Sequence, residues 1–247
     1  MKTMNIPIAA ALLCLTPLWA VAQGLEEIVV TGSRVEKGDS VPGASLKRPG
    51  DFILLQVVVS NDSRERDVRK KEIYDTLRAA LAAAKRDGTI ELSVVDGDGL
   101  VIPLKVDSAT VPLGADKRPD TSRTTISVKT KIPATDVNPT ALISKLKDFV
   151  ASVKGVGRTE LDGEDDVEIS VVNPAQYRDA VIKLFAADVT KVTGALGDGY
   201  KVVVQGIDRP VRWVRVGLLE LQLYVPYTYA VIPTSVTSYT NLTSPAE

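Results

Sequence analysis

The architecture can be worked out from one apolar run of strand length, Phe52-Ile53-Leu54-Leu55-Gln56-Val57-Val58-Val59, and from the charged, alanine-rich stretch behind it. In that second stretch, residues 66–85, apolar side chains recur at the spacing of one helix face: Ile73, Leu77, Ala80, Leu81 and Ala84. Gly88 follows at the position where a left-handed helix cap is expected. The two stretches predict a strand followed by an amphipathic helix that packs against a sheet.

Two more helices are predicted, each opening with an Asn-Pro pair that supplies a cap and a proline at the first helical position. After Asn138-Pro139 the apolar stripe is Leu142, Leu146, Phe149, Val150 and Val153, and Gly155 ends it. After Asn173-Pro174 the stripe is Tyr177, Val181, Leu184 and Val192, and Gly194 ends it. We expect both helices to pack their apolar face on the sheet.

Strand patterns fill the intervals between the helices, at residues 89–95, 100–106, 124–132, 167–172, 200–205 and 218–232. Asp96-Gly97-Asp98-Gly99 predicts a tight hairpin between two of them. Ile126, Val128 and Thr130 alternate with polar residues, as on a sheet with one face in water. Because the helices recur too irregularly for βαβ winding, the sequence predicts an α+β fold with a mixed or antiparallel sheet packed by about three amphipathic helices.

The N-terminus has the pattern of an export signal. Lys2 supplies the positive charge, residues 8–19 are apolar, and Ala20-Val21-Ala22 predicts cleavage before Gln23. The apolar run is shorter than the ~20 residues that span a bilayer, so we expect removal and no transmembrane span in the mature protein. The expected location is the periplasm, and association with the outer membrane is left open. Lipidation at Cys14 is the alternative, although the bulky Leu13 precedes it.

Composition excludes several kinds of site from the mature protein. The chain has no histidine, and its single cysteine, Cys14, lies in the expected signal. A Ser-His-Asp or Cys-His site, a histidine-ligated metal and a disulfide are therefore excluded after cleavage. The net charge of -1 argues against a nucleic-acid partner. We expect no cofactor and no metal.

Five parts are expected along the chain. Residues 1–22 are the cleaved signal, 23–34 an extended segment, 35–47 a flexible linker and 48–233 the α+β domain. Residues 234–247, rich in Ser, Thr, Asn and Pro, are expected to form a disordered tail.

The body, residues 43–232, resembles the SIMPL-domain family of exported bacterial proteins. The resemblance is carried by Gly43, Pro49-Gly50-Asp51, Val57-Val58-Val59, the alanine-rich first helix, Ala180, Lys183, Ala187, Leu196-Gly197, Val202-Val203-Val204 and residues 219–224. The acidic segment 160–166 and the long C-terminal strand with its tail depart from the family pattern. The resemblance implies an α+β fold, an envelope location, frequent oligomerisation and a role linked to stress protection, and it implies no catalytic residues.

Near the N-terminus, Glu26-Glu27-Ile28-Val29-Val30-Thr31-Gly32-Ser33-Arg34 resembles the TonB box of TonB-dependent outer-membrane receptors. The resemblance implies that Glu26, Glu27, Ile28, Val29, Val30 and Thr31 add as a strand to the C-terminal domain of TonB. A β-branched run between polar ends suits strand addition. The rest of the chain is too short for the many-stranded barrel of such a receptor. The alternative is an ordinary edge strand packed on this protein's own sheet.

Three other patterns have more ordinary interpretations. Ser144-Lys145-Leu146-Lys147 matches the S-x-x-K pattern, but Lys129-Thr130-Lys131 is not its K-T-G partner, so a solvated helix face is expected. Residues 162–166 with Glu168 lack the spacing of a Ca²⁺ loop and predict a charged turn. Arg209, Arg212 and Arg215 around Trp213 could contact anionic lipid or glycan, or form a polar strand face with one packed aromatic ring.

The sequence therefore predicts an exported envelope protein that is not an enzyme. It would dock its mature N-terminus onto TonB while its body binds another envelope component or its own copies. Two alternatives stay open: a periplasmic hydrolase using carboxylate or Ser/Lys chemistry, and a structural oligomer whose N-terminal strand seals an interface.

Overall fold

A computed structural model describes residues 26–30, 42–115, 120–135 and 137–237. The elements, in chain order, are β1 (Glu27–Val30), β2 (Leu46–Pro49), β3 (Phe52–Asn61), α1 (Arg66–Asp87), β4 (Ile90–Val95), β5 (Val101–Pro103), β6 (Gly114–Ala115), β7 (Ser122–Lys131), α2 (Pro139–Ser152), β8 (Thr159–Val172), α3 (Arg178–Leu196), β9 (Tyr200–Gln205), β10 (Arg212–Arg215), β11 (Glu220–Tyr224) and β12 (Thr228–Pro233). Every pairing between described strands is antiparallel, which confirms the predicted α+β class. The expected signal, Thr31, most of the expected linker and the chain beyond Thr237 lie outside the described residues.

The largest sheet has seven strands in the order β1-β8-β3-β7-β4-β5, with β6 paired to β7. Its two outer strands meet, because the Val29 N–H donates to the Gly99 carbonyl oxygen at 2.9 Å and Ile28 bridges Leu100. This contact nearly closes the sheet into a barrel. A three-stranded sheet, β10-β11-β2, and a two-stranded ribbon, β9 with β12, complete the strand pairings.

The seven-stranded sheet buries one face along its length and part of the other. One face packs beneath α1 and α2 and presents from β3 the core residues Ile53, Leu55, Val57 and Val59. On the opposite face, Ser93, Ser127 and Ser170 are also fully buried. The prediction that this face lies in water is confirmed at Arg123, Thr125 and Lys131 of β7, which are exposed, and is wrong at Ser127 and Lys129, which closure of the sheet buries.

The first two helices begin as the sequence predicts. The α1 helix starts at Arg66, and Gly88 caps its other end with a φ of 72° and an N–H donated to the Ala84 carbonyl oxygen. At the start of α2, the Asn138 side chain accepts hydrogen bonds from the N–H groups of Thr140 and Ala141. The second helix ends at Ser152, three residues before the predicted stop.

The third helix differs from its prediction. A 3₁₀ turn, Pro174–Tyr177, precedes it, and Asn173 makes no side-chain cap. The residues that α3 buries are Val181 and Phe185, whereas Leu184 is 42% exposed. The Phe185 ring lies 4.4 Å from the Tyr227 ring, centre to centre. This contact orients the helix, so the predicted position of Leu184 in the core is wrong.

Two strand predictions also need correction. The single strand expected at residues 218–232 is two strands, because Pro226 lacks an N–H for a ladder and β11 and β12 join different sheets. The acidic segment predicted as a turn lies inside β8. There Val167 pairs with Leu55 and Gly163 pairs with Val57, so the intervening acidic residues form a bulge.

The end of the expected linker belongs to the fold. Ala44 is buried, and β2 begins at Leu46 and pairs with β11. No helix in the described ranges has both the length and the apolar character needed to span a bilayer.

Candidate ligand cavity beside the N-terminal strand

The structure places four of the six predicted TonB-contacting residues in β1, at the edge of the protein's own sheet. Glu27 pairs with Val172 of β8, and Val30 pairs with Ile169. Glu26 precedes the strand and its carbonyl oxygen accepts the Asn173 N–H at 2.6 Å, while Thr31 lies outside the described residues. With β8 on one side and the β4–β5 hairpin on the other, both edges of β1 are engaged.

Side chains of β1 alternate between the two buried faces. Val30 joins the main core, whereas Val29 packs with Leu54 and Val101 on the inward face. Glu27 also points inward. The strand therefore contributes to the fold on both sides.

The partner of Glu27 is a buried lysine. Lys129 of β7 has a side chain 7% exposed; its ammonium contacts the Glu27 carboxylate and lies 3.3 Å from Glu91 Oε2. Ser170 Oγ donates to Glu27 Oε1 at 2.6 Å, and the Lys129 ammonium lies 4.2 Å from the Phe52 ring centre. Because a buried ammonium is costly without a counter-charge, this pair fixes β1 to the sheet.

Sequence reasoning missed this ion pair. Lys129 lies on the strand face that was expected in water, and its partner is 102 residues away. The one available signal was a lysine on a strand otherwise suited to burial.

A cavity of about 690 Å³ lies beside β1. Its walls come from β1, the β4–β5 turn, the 3₁₀ turn with the start of α3, and the segment that leads into β10. Apolar lining includes Ile28, Val95, Val211 and Trp213, and the charged lining is Glu26, Asp96, Asp98, Arg178 and Arg212. The volume and the mixed lining are those of a site for a small ligand.

The acidic wall is shaped by the predicted hairpin, which is confirmed. The Asp96 carboxylate accepts the N–H groups of Asp98 and Leu100, both at 2.9 Å. Gly99 adopts a φ of 84°, the left-handed conformation that a short hairpin loop requires. The turn therefore presents Asp98 at the cavity.

The basic wall is held by arginine bonds to main-chain carbonyls. Arg178 donates to the carbonyl oxygen of Arg209, at 2.5 Å, and to that of Ile207. Arg215 donates to the carbonyl oxygen of Val167 at 2.8 Å. Of the predicted basic-aromatic group, only Arg212 and Trp213 line the cavity.

The two weaker patterns lie apart from the cavity. Ser144 is exposed on α2, and Lys147 Nζ lies 3.2 Å from the exposed Asp165 carboxylate, which confirms a solvated helix face. Within the described ranges, no group of three or more His, Cys, Asp or Glu side chains is arranged to hold a metal ion.

No protein-family model, no curated protein and no solved structure matches this chain. The resemblances to the SIMPL-domain family and to the TonB box stay predictions.

Proposed function

We propose that this chain is an exported envelope protein that acts by binding rather than by catalysis. Its folded body captures an envelope component in the cavity beside β1. Its N-terminal segment docks onto the C-terminal domain of TonB by strand addition.

The observation that carries the proposal is the position of the cavity. It lies where β1 and the β4–β5 turn approach the segment leading into β10, and Glu26, Ile28 and Val29 form one wall. A volume of about 690 Å³ is within the range that drug-sized ligands occupy. The wall also contains the segment that resembles the TonB box, so the two binding events share one structural element.

Sharing that element makes the two events mutually exclusive. A strand that pairs with β8 and with the hairpin has no free edge to offer TonB. Docking therefore requires β1 to leave the sheet, which removes one cavity wall and separates Glu27 from Lys129. On this proposal, contact with TonB releases whatever the cavity holds.

Ligand capture can be followed with the protein's own fluorescence. The chain has two tryptophans; Trp19 lies in the expected signal, so Trp213 is the only one after export. We expect the apolar dye N-phenyl-1-naphthylamine to bind the exported protein and to accept excitation energy from Trp213.

A blocking variant separates the cavity from other apolar surface. A Cβ added at Gly97, which lines the cavity, meets no atom within 4 Å, so Gly97→Phe should fold normally and reduce dye binding at least about tenfold. Gly194→Phe is the matched control, because that position is equally open and lies outside the cavity. Equal dye binding by both variants would contradict the cavity as the binding site.

A reversible lock tests TonB docking. The Asn173 N–H donates to the Glu26 carbonyl oxygen, so Glu26 and Asn173 form a hydrogen-bonded pair of the β1–β8 ladder. Because hydrogen-bonded and non-hydrogen-bonded pairs alternate in an antiparallel ladder, Val29 and Ser170 form a non-hydrogen-bonded pair. Their Cα atoms are then about 4.5 Å apart, within disulfide range. We expect the oxidised Val29→Cys/Ser170→Cys protein to bind no TonB C-terminal domain in a calorimetric titration, and reduction to restore binding.

The oxidised and reduced forms of the same protein serve as each other's control. Each single-cysteine variant should bind the TonB C-terminal domain equally with and without reductant. Equal binding by the oxidised and reduced forms would show that docking does not require β1 to leave the sheet. Absence of binding by the wild type and by both forms would remove TonB from the proposal.

A further inference from the structure

We infer that the cavity takes an extended peptide segment bearing a cationic group, which adds as a strand to the free edge of β10. The inference rests on the proposed function, because it requires the cavity to be the binding site. It adds the chemical class of the ligand.

One edge of strand β10 is paired with no other described strand. It is the outer strand of the β10-β11-β2 sheet and pairs with β11 alone among the described strands. The Val216 N–H donates to the Glu220 carbonyl oxygen at 3.0 Å, so these two residues form a hydrogen-bonded pair that continues the β10–β11 ladder. By antiparallel alternation, Arg212 and Val214 direct their main-chain groups at β11, and Trp213 and Arg215 direct theirs at the open edge.

The open edge borders the cavity. The consecutive residues Pro210, Val211, Arg212 and Trp213 all line it, whereas Tyr224 is its only lining residue from β11. Successive side chains of a strand point to opposite faces. Arg212 and Trp213 are successive residues of β10 on opposite faces, and both line the cavity, so the cavity meets the start of β10 along its edge.

Edge-on contact selects a ligand with a main chain. An extended peptide satisfies the outward N–H and C=O of Trp213, and its side chains reach alternate faces. A ligand without amides would cover those groups without replacing their hydrogen bonds to water, which costs binding energy. The half-buried Trp213 ring, with Ile28 and Val95, offers an apolar surface for a β-branched or aromatic side chain.

The charged side chains that line the cavity indicate the sign of the charge on the ligand. Among the described residues, the carboxylates of Glu26 and Asp98 have no ion-pair or hydrogen-bond partner. The Arg178 guanidinium is bound to two carbonyl oxygens, and Arg212 has a partner of its own. The unpartnered charge in the cavity is negative, so it complements a lysine, an arginine or a free amine.

The test is selection from a random octapeptide library on the exported protein, followed by titration of single peptides against Trp213 fluorescence. We expect the selected peptides to combine β-branched residues with Lys or Arg. In an added strand, every second peptide amide faces β10. N-methylation of that set of amides should abolish binding, and N-methylation of the other set should leave the affinity unchanged. Gly97→Phe should prevent binding and Gly194→Phe should not.

The charge is tested separately. Glu26→Gln/Asp98→Asn should weaken a lysine-containing peptide about three- to fivefold, the effect of a partly solvated ion pair, and should leave its lysine-to-norleucine version unchanged. Equal loss for both peptides would overturn the charge assignment.

The remaining outcomes distinguish this inference from the proposed function. Tight peptides that tolerate N-methylation in both registers would overturn strand addition. Dye binding blocked by Gly97→Phe, without any selected peptide, would overturn the peptide class and leave the cavity as a binding site. Failure of both dye and peptides to bind would overturn both.

Discussion

The tripeptide Val-Val-Val occurs twice in this chain, at residues 57–59 and 202–204, with different burial. In β3, Val57 and Val59 are fully buried. In β9, Val202–Val204 are only partly buried, and the partner strand exposes Tyr229 and Val231 by 43% and 36%. The sequence is the same, so neighbours decide the burial. Strand β3 has a strand on each side and two helices above it, whereas β9 pairs with β12 alone among the described strands and packs against one helix, α3.

The helix-covered face of the seven-stranded sheet therefore supplies most of the core, whereas the inward face adds a small cluster of Val29, Leu54 and Val101. In β3, Val57 and Val59 point toward the helices and are fully buried, whereas Val58 points the other way and is partly buried. An identical run in a two-stranded ribbon keeps one side near water. Substitutions that test this difference should cost most inside the closed sheet.

The largest effect is expected from breaking the ion pair inside that sheet. Lys129→Met leaves the Glu27 carboxylate buried without its partner, which should lower the free energy of unfolding by about 3–5 kcal/mol. Chemical denaturation of the exported protein measures it. The double variant Glu27→Gln/Lys129→Met should recover more than about 1 kcal/mol of the summed losses. Additive losses would mean that the two side chains stabilise the sheet independently.

The matched valines give a direct comparison of the two regions. Val57→Ala should lower the free energy of unfolding by about 2–3 kcal/mol, because two methyl groups leave a fully buried site. Val202→Ala should lower it by about 1 kcal/mol or less, because that side chain is only partly buried. Equal losses in denaturation would show that the ribbon is covered in solution.

A pH-dependent effect is expected at the far end of the large sheet. Hydrogen bonds from the Asn61 and Ser63 side chains, and from the Arg158 N–H, hold the pKa of Glu72 below its ordinary value of 4.5. A carboxylate with a lowered folded-state pKa stabilises the fold above its unfolded pKa and loses that contribution as pH falls through the folded pKa.

Glu72→Gln should therefore reduce the loss of unfolding free energy between neutral pH and pH values below 4.5. Denaturation curves at several pH values measure this slope. Glu65→Gln, at an exposed position just before α1, is the control and should keep the wild-type slope. A wild-type slope in Glu72→Gln would assign the acid sensitivity to other groups.

The smallest effect is expected on α3, next to the ribbon. Leu184→Ala should change the free energy of unfolding by less than about 0.5 kcal/mol, because that side chain is largely exposed. Phe185→Ala, one residue further on, removes a buried ring that contacts Tyr227 and should cost several times more. A reversal of this order would restore the helix orientation expected from sequence.

Local signals in the sequence were sufficient for the parts of the fold that depend on local chemistry. Gly88, Asn138 and the Asp96–Gly99 turn each act within a few residues, and each has its predicted role. The phase of α3 was not predictable, because the contact with Tyr227 selects it.

The candidate site needed contacts that are far apart in sequence. Trp213 and Ile28 were both singled out, but for separate reasons, and no local pattern indicated that they line one cavity. The Glu27–Lys129 pair depends on closure of the sheet, which brings strands from both halves of the chain together.

The strand that closes the large sheet is also the first of the described strands, and this order affects how the protein folds. Glu27 and Ser170 are 143 residues apart, and their strands pair directly. Contacts this distant raise the contact order, and chains with high contact order fold slowly because the loop entropy is lost before the contacts form. When the chain emerges N-terminus first, β1 cannot pair until β8 has followed it, so the Lys129 ammonium lacks its Glu27 partner until then. Closure of the sheet is therefore a long-range step, and the pairing of β2 with β11, where Ser45 and Gln222 are 177 residues apart, requires still more of the chain.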